Sequence, residues 1–128
     1  MVQADKPQKI LIIEDDPLIL NVYRELFIRA GYETETALDS VTAVTRYESF
    51  RPDLIVMDVN LPAGDGRALF FRIRELFRSR TPVIFSTGWP DKVKEISSLH
   101  GVSVLIKPVE LEVLLAEARR VLENTRPG

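Results

Sequence analysis

The 128-residue sequence contains no cysteine, a single histidine and no long apolar run. The absence of cysteine excludes disulfide bonds, thiolate catalysis and cysteine-ligated metal sites. A membrane-spanning helix needs roughly 18 or more consecutive apolar residues, and no stretch of this chain approaches that length. Residues 1–8 are polar and lack the apolar segment of a signal peptide. These absences predict a cytoplasmic protein that does not contact a membrane.

Charge of one sign is also scarce, because 17 basic residues nearly balance 19 acidic ones and leave a formal net charge of -2. A nearly neutral chain is not expected to attract nucleic acid or anionic lipid. Hydrophobic residues make up 45% of the chain, a typical share for a globular protein. We predict one domain over residues 9–123, a flexible N-terminal arm over residues 1–8 and a C-terminal tail over residues 124–128.

Short apolar or alternating segments are separated by stretches with helical periodicity. The predicted strands cover residues 9–13, 32–37, 54–57, 83–87 and 102–106. Unbroken apolar runs such as Leu54–Met57 indicate strands that are buried on both faces, as in a parallel sheet. The predicted helices cover residues 17–30, 39–50, 67–78, 91–99 and 110–122, and the pattern of the fourth is weak. This alternation predicts an α/β fold with right-handed crossovers.

Polar side chains follow the carboxyl ends of four of these strands. They are Glu14 and Asp15 after the first, Asp58 after the third, Ser86 and Thr87 at the end of the fourth, and Lys107 after the fifth. In an open parallel sheet these ends lie at one edge, and ligands bind in the crevice beyond it. We therefore expect three acids, a hydroxyl group and an amine to converge there.

These residue types point to phosphoryl chemistry. Neighbouring carboxylates repel one another unless a cation compensates them. Mg²⁺ prefers oxygen ligands and also binds phosphate, while a lysine ammonium such as that of Lys107 suits a phosphoryl oxygen. Thr87 can donate a hydrogen bond to another phosphoryl oxygen, and an aspartate can itself accept the phosphoryl group. The sequence therefore predicts an aspartyl-phosphate site on Asp58.

Several short motifs occur together in one order along the chain. They are Ile-Ile-Glu-Asp-Asp (12–16), Met-Asp-Val-Asn-Leu-Pro (57–62), Asp-Gly (65–66), Ser-Thr-Gly (86–88) and Lys-Pro (107–108). With these motifs the chain resembles the receiver domain of two-component response regulators. The resemblance implies a flavodoxin-like (βα)5 three-layer sandwich with a five-stranded parallel sheet in the order 2-1-3-4-5. It also implies that a sensor histidine kinase or a phosphotransfer protein phosphorylates Asp58.

The resemblance further assigns a role to each site residue. Glu14, Asp15 and Asp58 are implied to hold Mg²⁺, and the backbone carbonyl of Asn60 completes the metal site. Asp16 lies one position beyond the acidic pair and is expected to cap a helix instead.

Thr87 is implied to be the switch hydroxyl and Lys107 the lysine that contacts the phosphoryl group. The domain is then a phosphoacceptor that assists its own phosphotransfer and dephosphorylation, and not an enzyme. It is expected to signal to a downstream protein target or an output domain, or through a phosphorylation-dependent homodimer. The family commonly has an aromatic residue at the position that Val104 occupies here, so readout through a rotating ring is not expected. A shortened fourth helix is expected from its weak pattern.

Three other functions fit parts of this pattern. A phosphatase of the haloacid-dehalogenase type also forms an aspartyl phosphate, but it needs a second acid where this chain has Asn60. A flavin carrier needs a hydroxyl- and glycine-rich loop after the first strand, where residues 14–16 are all acidic. The main alternative is a receiver-like interaction module that acts without phosphorylation.

Overall fold

The computed structural model describes residues 6–62 and 64–125, in which five parallel strands are connected by four α-helices and one short 3₁₀ helix. The strands are β1 (Lys9–Ile13), β2 (Glu33–Ala37), β3 (Leu54–Asp58), β4 (Val83–Thr87) and β5 (Val102–Ile106). The helices are α1 (Pro17–Arg29), α2 (Ser40–Phe50), α3 (Gly66–Phe77) and α4 (Leu111–Thr125), with the 3₁₀ helix at Pro90–Val93. The predicted arm and tail lie partly outside the described residues.

The sheet has the strand order β2-β1-β3-β4-β5, and every strand pair is parallel. This arrangement confirms the predicted flavodoxin-like fold. β3 is central and all five of its residues are buried, as its unbroken apolar run predicts. The register pairs Ile13 with Met57 and Asp58 with Ser86, so the carboxyl ends of the strands lie at one edge.

Alternating side chains give the sheet two separate cores. On one face, Ile55 and Phe85 pack with residues of α2 and α3. On the other face, Val56 and Ile84 pack with residues of α1 and α4. Each such side chain contributes roughly 1.5–3 kcal/mol when it is fully buried. Because side chains along a strand alternate between the two faces of the sheet, the residue two positions beyond each of these lies on the same face.

The segment between β4 and β5 departs from the predicted alternation. An α-helix over residues 91–99 was expected, but the chain forms the 3₁₀ helix Pro90–Val93 followed by turns. The apolar residues Val93, Ile96 and Leu99 are spaced by three, which matches the three-residue turn of a 3₁₀ helix more closely than the 3.6-residue turn of an α-helix. The prediction of an α-helix over residues 91–99 is therefore wrong, and the expectation that the fourth predicted helix is shortened is confirmed.

The two ends of the described chain meet beside α4. This helix ends at Thr125, three residues beyond the predicted end. The Gln8 side-chain amide donates to the carbonyl of Leu122 at 3.4 Å, and the Gln8 carbonyl accepts from the Glu33 amide at 3.0 Å.

In the described part of the chain, no helix has both the length and the apolar character needed to cross a membrane.

Candidate functional site

Three carboxylates meet at the carboxyl edge of the sheet. Oxygen atoms of Glu14, Asp15 and Asp58 lie within 4.8 Å of one another. Glu14 is 1% exposed and Asp58 is 5% exposed, whereas Asp15 faces solvent. Asp16 instead caps α1, because its side chain accepts from the Leu18 amide at 2.9 Å. The structure thus brings together the three acids that the sequence places at the strand ends.

Lys107 lies between two of these acids. Its Nζ donates to Glu14 Oε1 at 2.9 Å and to Asp58 Oδ2 at 3.2 Å. Its backbone amide donates to the Thr87 carbonyl at 2.8 Å, and the Lys107–Pro108 peptide bond is cis. One ammonium cannot neutralise three carboxylates, so the cluster keeps an excess of negative charge.

The ionisation of the cluster reflects this excess. Burial raises the pKa of Glu14 from 4.5 to about 7; the hydrogen bond from Lys107 opposes this rise, and Asp58 adds to it. Burial alone would lower the pKa of Lys107, but Glu14 and Asp58 outweigh it and the pKa is raised. Hard oxygen donors with an unbalanced charge are a suitable ligand set for Mg²⁺. The residues therefore fit the implied metal.

We expect the affinity for Mg²⁺ to rise with pH up to about 7, the pKa of Glu14, and to level off above it. Below this pH a proton on Glu14 competes with the cation, so affinity should fall by about tenfold per pH unit if one proton is displaced. A calorimetric titration at several pH values measures this slope. Glu14→Gln should bind Mg²⁺ more weakly and lose the slope, and a wild-type affinity independent of pH would contradict the expectation.

Asn60 contacts Asp58 of the acidic cluster, whereas the side chain of Thr87 bonds to the backbone of the loop that follows β4. The Asn60 backbone amide donates to Asp58 Oδ1 at 3.1 Å and fixes that carboxylate. The Asn60 side-chain oxygen instead accepts from Lys92 Nζ at 3.0 Å. Thr87 is fully buried, and its Oγ1 accepts from the Trp89 amide at 2.9 Å. Trp89 is 62% exposed, with Lys92 Nζ 5.2 Å from its ring centroid.

Gly66 brings the start of α3 against the end of β3. Asp65 caps this helix by accepting from the Ala68 amide at 3.0 Å, and the Gly66 amide donates to the Val59 carbonyl at 2.6 Å. A Cβ atom at Gly66 would lie only 2.5 Å from the Asp58 carbonyl oxygen. The absence of a side chain at Gly66 therefore fixes how closely α3 approaches the residue that carries the central carboxylate.

Two residues near the site are not identified from the sequence. Tyr23 fits the apolar spacing of α1, yet it also lines a groove together with Lys107. Lys92 lies in a weakly patterned segment, and its contact with Asn60 joins positions 32 residues apart. Neither contact has a local sequence signal, because each depends on how distant elements pack together.

A parallel sheet in the order 2-1-3-4-5, with acids and a lysine at its carboxyl edge, defines a flavodoxin-like signalling domain. The family model for the response regulator receiver domain matches residues 10–119. The chain therefore belongs to the response regulator receiver domain family.

The relatives agree with this assignment. The transcriptional regulatory protein TrcR of Mycobacterium tuberculosis is 28% identical over 121 residues, which are 93% of this chain and 47% of TrcR. The chemotaxis protein CheY of Treponema pallidum is 28% identical over 91% of this chain and 84% of that protein. The chain spans about half the length of most of the curated relatives it matches.

Solved structures show the same fold. The chemotaxis response regulator CheY4 of Vibrio cholerae superposes with a TM-score of 0.82 at 30% identity, covering 91% of this chain and 99% of CheY4. A CheY-like receiver domain protein from Methanospirillum hungatei JF-1 gives a TM-score of 0.84 at 27% identity, covering 93% and 96% of the two chains.

Proposed function

We propose that this receiver domain is a phosphorylation switch in which Asp58 accepts a phosphoryl group in a Mg²⁺-dependent reaction. The donor is a phosphohistidine of a sensor histidine kinase or of a phosphotransfer protein in the cytoplasm. The observation that carries the proposal is the pair of hydrogen bonds from Lys107 to Glu14 and Asp58 within a cluster of three acids. This arrangement combines a buried nucleophile with a cation that can move to a phosphoryl oxygen.

The two oxygens of Asp58 have different partners, which orients the carboxylate for attack. Oδ1 accepts from the Asn60 amide and Oδ2 accepts from Lys107. One of these oxygens forms a bond to phosphorus while the bond from phosphorus to the histidine nitrogen breaks, so the electron pair leaves with the imidazole. The backbone bond from Asn60 keeps the carboxylate in place throughout.

The surrounding residues stabilise the product. Mg²⁺, held by Glu14, Asp15, Asp58 and the backbone carbonyl of Asn60, would supply positive charge that neutralises the transferred group. The Lys107 ammonium exchanges an acid partner for a phosphoryl oxygen. The Thr87 hydroxyl accepts from the Trp89 amide through its oxygen, so its own proton can be donated to a second phosphoryl oxygen.

Signalling follows from the backbone hydrogen bond that connects Lys107 with Thr87. The Lys107 amide is bonded to the Thr87 carbonyl, so a phosphoryl group that draws in both side chains moves the segments after β4 and β5 together. Such a pull shifts the population between two conformations. Val104 is half-buried and offers no ring to rotate. The loop that carries Trp89 and Lys92 is therefore the element that presents the change to a downstream protein target, an output domain or a second copy.

Chemical trapping of the phosphorylated residue tests this function. Incubation with acetyl phosphate and Mg²⁺ should add one phosphoryl group per chain, and borohydride reduction followed by mass spectrometry should locate it at Asp58. Chelation of the metal beforehand should prevent incorporation. A chain that stays unmodified with the metal present would favour an interaction module that acts without phosphorylation.

A further inference from the structure

A continuous chain of hydrogen bonds joins Asp58 to Thr87 at the carboxyl edge of the sheet. The Asn60 amide donates to Asp58 Oδ1 at 3.1 Å, and the Asn60 side-chain oxygen accepts from Lys92 Nζ at 3.0 Å. The Lys92 amide donates to the Trp89 carbonyl at 3.1 Å, and the Trp89 amide donates to Thr87 Oγ1 at 2.9 Å. Lys92 therefore connects the loop after β3 with the loop after β4.

The start of the loop after β4 has few other attachments. The four residues before Lys92 are all exposed, and the first buried residue beyond it is Val93. In the described part of the chain, the bond from Lys92 to Asn60 is the only side-chain hydrogen bond that residues 88–101 make to an element or loop beyond β4. This bond therefore holds the exposed part of the loop against the loop that follows β3.

The contact is of a kind that favours one position of the loop and still releases it. Its acceptor is the neutral amide oxygen of Asn60, and both residues are exposed. The same ammonium lies 5.2 Å from the centroid of the Trp89 ring. An exposed hydrogen bond and a cation over an aromatic ring each shift an equilibrium severalfold and not by orders of magnitude.

We propose that Lys92 is a positioning residue for phosphorylation, because its bond to Asn60 holds the loop that carries Trp89 in the resting conformation. A phosphoryl group on Asp58 that draws in the Thr87 side chain also moves this loop, so the bond to Asn60 must break as the loop moves. The bond therefore stabilises the unphosphorylated state and limits how often the loop leaves that state. This inference rests on the proposed function of Asp58.

The first experiment measures the rate of phosphorylation by acetyl phosphate with Mg²⁺ in wild type, Lys92→Met and Lys94→Met. Methionine keeps an unbranched side chain and removes the ammonium. Lys92→Met should raise the maximal rate by about three- to tenfold, the worth of one hydrogen bond, because the resting conformation loses its contact. A Lys92→Met rate equal to or below that of wild type would overturn the inference.

Lys94→Met is the matched control. Lys94 is exposed in the same segment, and among the described residues its ammonium has no hydrogen bond or ion pair. This variant should keep the wild-type maximal rate. If loss of charge alone mattered, both variants would show a higher half-saturating donor concentration and equal maximal rates, and that result would overturn the inference.

Asn60→Ala tests whether Lys92 acts through Asn60. The substitution removes the side-chain acceptor and keeps the backbone amide that bonds to Asp58. In the Asn60→Ala background, Lys92→Met should change the rate by less than about twofold, because the bond is already absent. The full three- to tenfold increase in that background would show that Lys92 acts by another route.

Trp89 is the only tryptophan of the chain, so its fluorescence anisotropy reports the motion of this loop without any phosphoryl donor. The anisotropy should fall in Asn60→Ala, which frees Lys92, and should stay at the wild-type value in Lys94→Met. Wild-type protein that incorporates no phosphoryl group would overturn the proposed function, and the anisotropy would still test the contact. An Asn60→Ala anisotropy equal to that of wild type would overturn the inference itself.

Discussion

Asp58→Asn is expected to abolish phosphoryl incorporation from acetyl phosphate while the fold stays intact. An amide oxygen can still accept the hydrogen bond from the Asn60 amide, so the local backbone keeps its contact. Lys107 keeps its bond to Glu14. The amide lacks the negative charge that makes the carboxylate a nucleophile, so no acyl phosphate forms. Intact-protein mass spectrometry after incubation with acetyl phosphate and Mg²⁺ measures the loss.

The same substitution has a second consequence for the metal site. Asp58 contributes to the raised pKa of Glu14, so its neutralisation should lower that pKa towards the ordinary value of 4.5. Removal of a carboxylate from the cluster should nevertheless weaken Mg²⁺ binding by at least about tenfold. Without metal, the variant should be as stable as wild type or more so, because one of several repelling charges is gone. Urea denaturation with and without Mg²⁺ separates these effects.

Asp91→Asn is the control for this experiment. Asp91 carries the same charge and is exposed in the 3₁₀ helix, outside the acidic cluster. The Asp91→Asn variant should be phosphorylated to the same level as wild type. Incorporation into Asp58→Asn at the wild-type level would move the acceptor to another residue, and incorporation lost in both variants would point to a nonspecific effect of charge.

The fold was predictable wherever burial on two faces leaves a local signal. β1, β3 and β4 are runs of apolar residues, and their observed bounds lie within one residue of the predicted ones. The parallel arrangement then places the ends of these strands at one edge, which is why Glu14, Asp58 and Lys107 could be grouped from the sequence. The connection after β4 was mispredicted, because Ile96 and Leu99 follow Val93 at a spacing that a weak α-helix and a 3₁₀ helix share.

The contacts around the acidic cluster leave no local signal of this kind in the sequence. Tyr23 and Phe27 have the same apolar spacing on α1, and only the packed structure distinguishes a tyrosine that lines a groove with Lys107 from a ring that is fully buried in the core. The bond between Asn60 and Lys92 depends on the path of a loop. The Asp-Gly pair at residues 65–66 indicates a turn, but it does not show that α3 lies against the Asp58 carbonyl. Tertiary packing decides each of these features.

Gly66→Ala is expected to destabilise the protein by about 1–3 kcal/mol, as overpacking does in a close-packed interior. The added Cβ would lie 2.5 Å from the Asp58 carbonyl oxygen and 3.0 Å from the Val59 Cα. Both are backbone atoms at the end of the buried strand β3, so displacing them costs free energy. Alanine favours a helix over glycine by only about 0.5–1 kcal/mol, which is too little to offset this clash.

The steric clash should also affect the acidic cluster. It can be relieved only if α3 moves away from β3 or if Asp58 shifts together with its carbonyl. We expect Gly66→Ala to take up the phosphoryl group more slowly than wild type. Urea denaturation measures its free energy of unfolding. Gly88→Ala is the matched control, since a Cβ atom there meets no atom within 4 Å and the residue directly follows Thr87. An unchanged free energy of unfolding in Gly66→Ala would show that α3 can retreat freely, and that its close approach does not hold Asp58 in place.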